Sequence, residues 1–496
     1  MKNSRLEAWL IIFLAEILLI GISVLVSCNG ISFSENKPGF ISPEELTDFH
    51  QEDPNLVADS LLREYLADTA GADTLLKRTP LSKIGPKKRN IYLINPETNG
   101  KTPLDLFFES LFREKDTAVV RIAHYGDSQL EGDRMSWVMR EKFHEKFGGS
   151  GVGYVPMKDL SPVSYVRNSS GNWAKYTVFH NRYSNSYYGL SGLVWHFSRH
   201  AVYQPEEGDS SGHSAVKDTQ NIDFSNVYNG AYVSVKLEPH LKYKKVSVLY
   251  GRSQDHTLVH YINNETGKRM LTDTLPPSDK VQMHKRVLDE PVLKLRIEFN
   301  AANSPDFYGI YLDEINGVQV DNYAIRGHSG DGLVLINDDH LKRMLELTNT
   351  RLIIFQYGAN VVPCVHSEKA CLAIEDMYYK IFMKFRNLDP DLSILVVSSG
   401  DMARGSTGGY SSYPWLPRIV EAQKNAALKA NCAFFDLFHM MGGSNSILTW
   451  ASRKLAVTNG HFSASGQEVV ANELVDALMV EYNHYLHKRR KHQVNE

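Results

Sequence analysis

Two hydrophobic rhythms divide this chain. In one, short apolar runs alternate with longer stretches in which apolar residues return every three to four positions. Val119 to Ala123 is such a run, and from Arg134 to Phe147 the period is helical, with Met135, Val138, Met139 and Phe143 on one face. The same alternation resumes later. Val318–Ile325, Leu352–Gln356, Leu392–Val397 and Cys432–Phe438 read as strands. Asp331–Leu347, Ala370–Phe385, Trp415–Ala430 and Ser465–His484 read as helices, and Leu104–Phe112 is a helix ahead of the first strand. Strands alternating with helices of this length predict a parallel sheet covered on both faces.

The second rhythm fills residues 150–320. Residues there alternate with period two in short pieces, at Ala231–Leu237, Lys245–Tyr250, Val292–Phe299 and Phe307–Leu312. Turn-forming stretches such as Asn263–Gly267 and Pro276–Asp279 separate them. This pattern predicts an antiparallel β-sandwich inserted into the α/β unit. Trp173, Tyr187, Tyr188 and Trp195 are its candidate sugar-stacking aromatics, with burial in the sandwich core or its seam as the alternative. The glycine-rich stretch Gly148–Gly153 lacks the Lys-Ser/Thr of a phosphate loop and reads as a flexible passage into the insertion.

The N-terminus adds a location. Lys2 and Arg5 precede an apolar run from Trp9 to Val26, so residues 1–28 read as an export or anchor segment. Leu25-Val26-Ser27-Cys28 resembles the bacterial lipobox, with Cys28 the lipidation candidate; an uncleaved single span is the rival reading. Either places the chain in a bacterial cell envelope, in the periplasm or at the outer membrane, tied to a membrane. Residues 29–95 are polar and weakly periodic, as a stalk would be. Residues 487–496 read as a solvated polar tail. With 496 residues and a formal net charge of −3, nothing points to nucleic acid. Cys364 and Cys371 are spaced to form a disulfide or remain as buried thiols. No Cys/His set has metal spacing, and no cofactor is implied.

The chemistry-bearing stretch is Gly126-Asp127-Ser128-Gln129, where the first strand of the α/β unit ends. In open α/β folds that edge is where ligands bind. Ser128 there is either a nucleophile beside unpaired backbone N–H groups or, like Asp127, a helix cap. Glu131 and Asp133 read as charge partners of Arg134 at the helix start rather than as a glycosidase pair.

Gly126-Asp127-Ser128-Gln129 resembles block I of the SGNH (GDSL-like) hydrolases. Arg326-Gly327-His328-Ser329-Gly330-Asp331 resembles block II, Gln356-Tyr357-Gly358-Ala359-Asn360 block III, and His461-Phe462-Ser463-Ala464-Ser465-Gly466 block V, in the family's order. The resemblance implies an SGNH (flavodoxin-like) three-layer α/β/α parallel sheet, split into residues 96–149 and 321–486 around the inserted all-β sandwich. It implies Ser128 as nucleophile, His461 as general base, and the Ser128 N–H, the Gly330 N–H and the Asn360 side chain as oxyanion donors. The family's Asp-x-x-His places an acid three residues before the base. Here that position is Thr458, with Asn459 beside it, and neither carries the charge that stabilises an imidazolium. Asp401 and Asp436, at or near strand ends, are further candidates for the supporting role, with capping as the alternative for each.

Some relatives with a sandwich between blocks I and II remove O-acetyl groups from peptidoglycan. The expectation is therefore an exported, membrane-tethered serine esterase, or carbohydrate O-acetylesterase, acting on an acetylated polysaccharide through an acyl-enzyme. The alternatives are an O-acetyltransferase using the same site and a glycan-binding protein with a weakened one.

Overall fold

The structure, a computed structural model, describes residues 91–160, 162–198, 230–290, 292–407 and 409–495. The export or anchor segment with Cys28 and nearly all of the stalk lie outside the described residues. In chain order the first elements are β1 (Leu93–Ile94), α1 (Asp105–Glu114), β2 (Val119–Gly126) and α2 (Arg134–Phe147). The inserted strands follow: β3 (Gly151–Val155), β4 (Tyr165–Ser169), β5 (Trp173–Thr177), β6 (Leu193–Phe197), β7 (Gly230–Leu237), β8 (Lys245–Gly251), β9 (Thr257–Asn263), β10 (Arg269–Leu275), β11 (Gln282–Val287), β12 (Lys294–Asn300) and β13 (Asp306–Asp313). The chain then forms β14 (Gly317–Ala324), α3 (Asp338–Thr348), β15 (Thr350–Gln356), α4 (Glu368–Leu388), β16 (Ser393–Val397), the hairpin β17 (Ala403–Ser406) and β18 (Gly409–Ser412), and α5 (Leu416–Lys429). It ends with β19 (Ala433–Phe435), α6 (Leu437–Met441), α7 (Ser446–Ser452) and α8 (Ala464–Asn495).

The central sheet runs β1-β19-β16-β15-β2-β14, parallel throughout except for β1 at one edge. Numbered by their order in the chain, its parallel strands read 2-1-3-4-5, the flavodoxin-like order. Alternation along each strand feeds two layers. Ile122, Leu352, Ile354, Leu395 and Val397 pack with Phe107, Met139, Phe143, Leu474 and Leu478 of α1, α2 and α8. Ala123, Tyr125, Ile353, Phe355 and Val396 pack with Met344, Phe382, Phe385 and Ile419 of α3, α4 and α5. This is a three-layer α/β/α unit with an inserted all-β sandwich.

The sandwich has one sheet ordered β10-β9-β12-β7-β4 and another ordered β11-β8-β13-β6-β5, with β3 also paired to β13. Trp173 of β5 packs edge-on against Phe299 of β12, ring centroids 6.1 Å apart, tying the two sheets together. Trp173, Tyr188 and Trp195 are buried, so these sugar-stacking candidates serve as core. Tyr187 is half-buried beneath the Arg252 guanidinium, 4.4 Å from its ring centroid.

The insertion is joined to the sheet by a buried ionic seam. Arg121, in the middle of β2, pairs with Asp313 at the end of β13 and with Asp321 of β14, the latter at 3.1 Å. Its guanidinium also lies 4.5 Å from the Tyr311 ring centroid, and the Tyr154 N–H donates to Asp321 Oδ1 at 2.9 Å. The glycine stretch is likewise structural rather than flexible. Gly149 and Gly317 both have positive φ, and a Cβ on either would strike the backbone of the other crossing strand, at Val318 and Gly149 respectively.

Three further expectations change. The folded unit begins inside the last residues assigned to the stalk, because β1 pairs with Phe434 and Phe435 of β19. Residues 487–495 continue α8, and Lys488 and Arg489 pair with Glu97 and Glu109 at 2.9 and 2.6 Å. Cys364 and Cys371 are unbridged, and Cys364 is exposed. Among the described residues no helix is long and apolar enough to cross a membrane.

Candidate active site

The parallel sheet reverses its strand order between β2 and β15, and the C-terminal ends of those two strands carry Ser128 and Asn360. Such a switch point leaves a crevice between loops that depart in opposite directions. Gly126 closes β2 where a Cβ would run into Leu130 and the Gln356 carbonyl. The chain then folds into a turn. Asp127 Oδ1 accepts the Gln129 N–H at 2.9 Å, and the Asp127 carbonyl accepts the Leu130 N–H at 3.1 Å. Ser128 does not cap α2: a 3₁₀ turn at Glu131–Asp133 intervenes, with Gly132 and Asp133 at positive φ. Asp133 is held there by Arg140, at 2.8 and 3.1 Å, and Glu131 by Arg326, at 2.6 and 2.8 Å. The two acids thus pair with Arg140 and Arg326. Arg134 Nε faces the Glu131 carbonyl at 3.4 Å.

Ser128 Oγ lies 2.9 Å from His461 Nε2. His461 Nδ1 lies 3.0 Å from Asn459 Oδ1, and the His461 main-chain N–H points at that same oxygen from 3.2 Å. A main-chain N–H can only donate, so the amide atom it faces is the carbonyl oxygen. Nδ1 must then carry its proton, and Nε2 turns a lone pair to the serine hydroxyl. Asn459 therefore occupies the place of the orienting acid and fixes the tautomer without supplying charge. The turn around it is tight, with the Val457 N–H donating to the His461 carbonyl at 2.8 Å. The contact consequently comes from two residues before the base rather than three. Thr458 offers its carbonyl to the Ala403 N–H at 2.8 Å.

Burial, together with the charges of Arg134 and Arg326, holds the His461 imidazole below its ordinary value. It is thus a neutral base at neutral pH. Asp127 moves the other way. Burial, with a smaller push from Glu131, lifts its carboxyl to about 7 against the N–H bonds it accepts.

Gln129, which the sequence offered only as the last letter of block I, clamps the base loop. Its Nε2 donates to the Gly460 carbonyl at 2.7 Å, and its Oε1 accepts the Phe462 N–H at 3.2 Å. Nucleophile turn and base turn are thereby fastened on both sides of His461.

The oxyanion expectations are realised unevenly. No acceptor among the described residues takes the Ser128 or Gly330 N–H. Gly330 sits at φ 92° with its Cα against the Tyr357 ring, where a Cβ would approach Cδ2 to 3.0 Å. The Asn360 amide, by contrast, is engaged, donating to Asp127 Oδ2 at 3.0 Å and to the His328 carbonyl at 3.1 Å. It binds blocks I and II together, and donates to an oxyanion only by releasing one of these acceptors. Beneath block II, His328 is fully buried, accepts the Gly332 N–H through Nε2 at 3.1 Å, and is pushed down by burial to about 4.

Asp401 and Asp436 do not reach the base. Asp401 accepts the Ser412 hydroxyl at 2.6 Å and the Ile447 N–H at 2.9 Å, pinning the hairpin to the start of α7. Asp436 caps α6, accepting the His439 N–H at 3.0 Å. Both carboxylates serve main-chain ends, as aspartates near strand ends commonly do. Among the described residues no group of three His, Cys, Asp or Glu side chains is placed to hold a metal ion.

This layout is a flavodoxin-like three-layer α/β/α fold with a serine and a histidine brought together at its switch point. No protein-family profile matches the sequence, and no curated protein matches it. Among solved structures the chain is similar to a peptidoglycan O-acetylesterase, at TM-score 0.60 and 18% identity, over 79% of this chain and 99% of that one. Smaller likenesses are to an acetyl xylan esterase (TM-score 0.26, 15% identity, 32% of this chain and 81% of that one) and to a family 29 carbohydrate-binding module (TM-score 0.20, 12% identity, 35% and 95%). The first shows the shared fold.

Proposed function

We propose that this protein is a serine esterase that removes O-acetyl groups from a cell-wall or extracellular polysaccharide. The observation that carries the reading is the 2.9 Å contact of Ser128 Oγ with a His461 whose tautomer is fixed by Asn459. A hydroxyl is too weak an acid to attack an ester unaided, and a neutral Nε2 within hydrogen-bond reach is what activates it. In the first step Ser128 Oγ adds to the acetyl carbonyl while His461 takes its proton. The oxyanion gathers at the Ser128 and Gly330 N–H groups, and His461 returns the proton to the departing sugar oxygen. Water, activated by the same imidazole, then releases acetate from the acyl-enzyme. The chemistry asks for no cofactor.

The substrate class is supported by the similar peptidoglycan O-acetylesterase, whose chain this one spans almost completely. Export and membrane tethering rest on the charged start, the apolar run and Cys28. A decayed glycan-binding site is the weaker reading, because Asn459 supplies the orienting contact that Thr458 does not. The test is acetate release by the detergent-solubilised full-length protein from O-acetylated peptidoglycan and from acetylated xylan. Ser128→Ala and His461→Ala should each lower the rate by about 10³-fold or more. A wild type no faster than both variants on either polymer would overturn the proposal.

A further inference from the structure

A cavity lies beside the site described above rather than within it. It has a volume of about 360 Å³ and opens between the insertion and the block I and block II loops. That size is at the lower end of small-molecule pockets, about 300–1,000 Å³. Pro156, Leu193 and Ile325 give it apolar walls, while Glu131, Arg326 and His180 give it polar ones. The ion pair in its wall is half-buried, with side-chain exposures of 29% for Arg326 and 17% for Glu131. A pyranose ring suits such a lining, because its C–H faces are apolar and its rim carries hydroxyl groups that pair with charged donors and acceptors.

Two observations connect this cavity to the reaction. Arg326 belongs to its wall and is also one of the charges acting on His461. Glu131, its partner, stands three residues after Ser128. The walls are also fastened to each other. The Val163 N–H donates to the Gly132 carbonyl at 2.9 Å, and the Ser164 hydroxyl donates to Asp133, itself held by Arg140. The insertion and the nucleophile turn are therefore held at fixed spacing, as a preformed subsite requires.

We infer that this cavity is a saccharide subsite that seats the sugar residue next to the acetylated one, with the Glu131–Arg326 pair and His180 holding its hydroxyl groups. The inference rests on the esterase reading for the identity of the neighbouring sugar, but not for binding itself. Two measurements separate them. The first uses the full-length Ser128→Ala protein in calorimetry with two unacetylated probes, a β-1,4-linked N-acetylglucosamine tetrasaccharide and xylotetraose. At least one probe should bind, the stronger naming the source of the sugar. Adding Arg326→Gln or His180→Ala should weaken that binding about tenfold, the scale of a lost charged hydrogen bond. His180 is exposed, so its variant tests the inference even where Arg326→Gln disturbs the turn. The second measurement compares kcat/KM on acetylated polymer with that on 4-nitrophenyl acetate in the Ser128 background. Each variant should lose at least tenfold more on the polymer. Binding of neither probe, binding indifferent to both substitutions, or equal losses on the two substrates would overturn the subsite. Binding that weakens as expected in a protein that releases no acetate would keep the subsite and remove the esterase.

Discussion

Two buried polar clusters are built on β2, one at its C-terminal end and one further back along it, and they treat charge in opposite ways. At the C-terminal ends of β2 and β15, the proposed hydrolysis would generate an imidazolium, yet the group behind His461 is the neutral amide of Asn459. Toward the other end of β2, no chemistry is asked for, yet Arg121 stands between two carboxylates, all three almost fully buried. Burial alone would weaken the Arg121 charge, but Asp313 and Asp321 outweigh it and keep the guanidinium protonated above its ordinary range. The contrast teaches that orientation and charge are separable. The site has the first without the second, and the seam uses charge to hold the insertion in one register on the sheet.

The seam is where breaking the contrast costs most. Arg121→Leu leaves Asp313 and Asp321 buried without their cation, and loss of one partner from such a cluster typically costs about 3–5 kcal/mol. The expected outcome is a clear fall in Tm and in the denaturant midpoint. An unchanged midpoint would mean that the insertion is held by its apolar contacts alone.

At the site the informative pair is Asn459→Ala and Asn459→Asp. The alanine variant frees the imidazole to take the wrong tautomer and should lower kcat about 100-fold, with the fold intact by circular dichroism. The aspartate variant restores charge beside Nδ1 without losing the contact to the His461 N–H. It should raise kcat and move the acidic limb of the pH–rate profile upward, since a carboxylate favours the protonated ring. If both variants slowed the enzyme alike, Asn459 would be a turn former only.

The smallest effect belongs to Arg326→Gln. In the proposed mechanism His461 works as a neutral base, so activity should be lost as pH falls through its pKa. Because burial, Arg134 and Arg326 hold that pKa down, the acidic limb should lie below the ordinary histidine value of about 6.5. Removing the Arg326 charge relieves part of that depression, and the limb should move toward higher pH. A shift toward lower pH would contradict the electrostatic picture.

The sequence carried the α/β half well because its signals are local. The runs at Leu352–Gln356 and Leu392–Val397 and the amphipathic stretch from Ala370 to Phe385 fall within a few residues of β15, β16 and α4. β1 was invisible, since two residues in a polar segment have no period and become a strand only by pairing with β19. The four blocks located Ser128, Gly330, Asn360 and His461, but not what holds them. Counting back three residues from His461 leads to Thr458, whereas the turn that ends at Gly460 brings Asn459 to the ring. Gln129 reads as one more polar loop residue until both sides of His461 are seen resting on it. The seam did leave a trace: Arg121 and Asp321 are charges in mid-strand, and a buried charge there requires a partner. Which partner is a matter of tertiary contact, and Asp313 comes from a different sheet. For the same reason Trp173 and Trp195 gave no sign from composition of whether they face a sugar or a core.

The crossing of Gly149 with Gly317 has a bearing on chain entropy. Because the two ends of the insertion touch, the α/β unit experiences the entire sandwich as a closed turn between α2 and β14. The entropy of closing such a turn grows only logarithmically, about 0.6 kcal/mol for each doubling of the chain it encloses. Length added or removed in the outer strands of the sandwich therefore leaves the folding cost of the serine-bearing sheet almost unchanged. A single methyl group at either glycine, which would force the two ends apart, would strain that sheet directly.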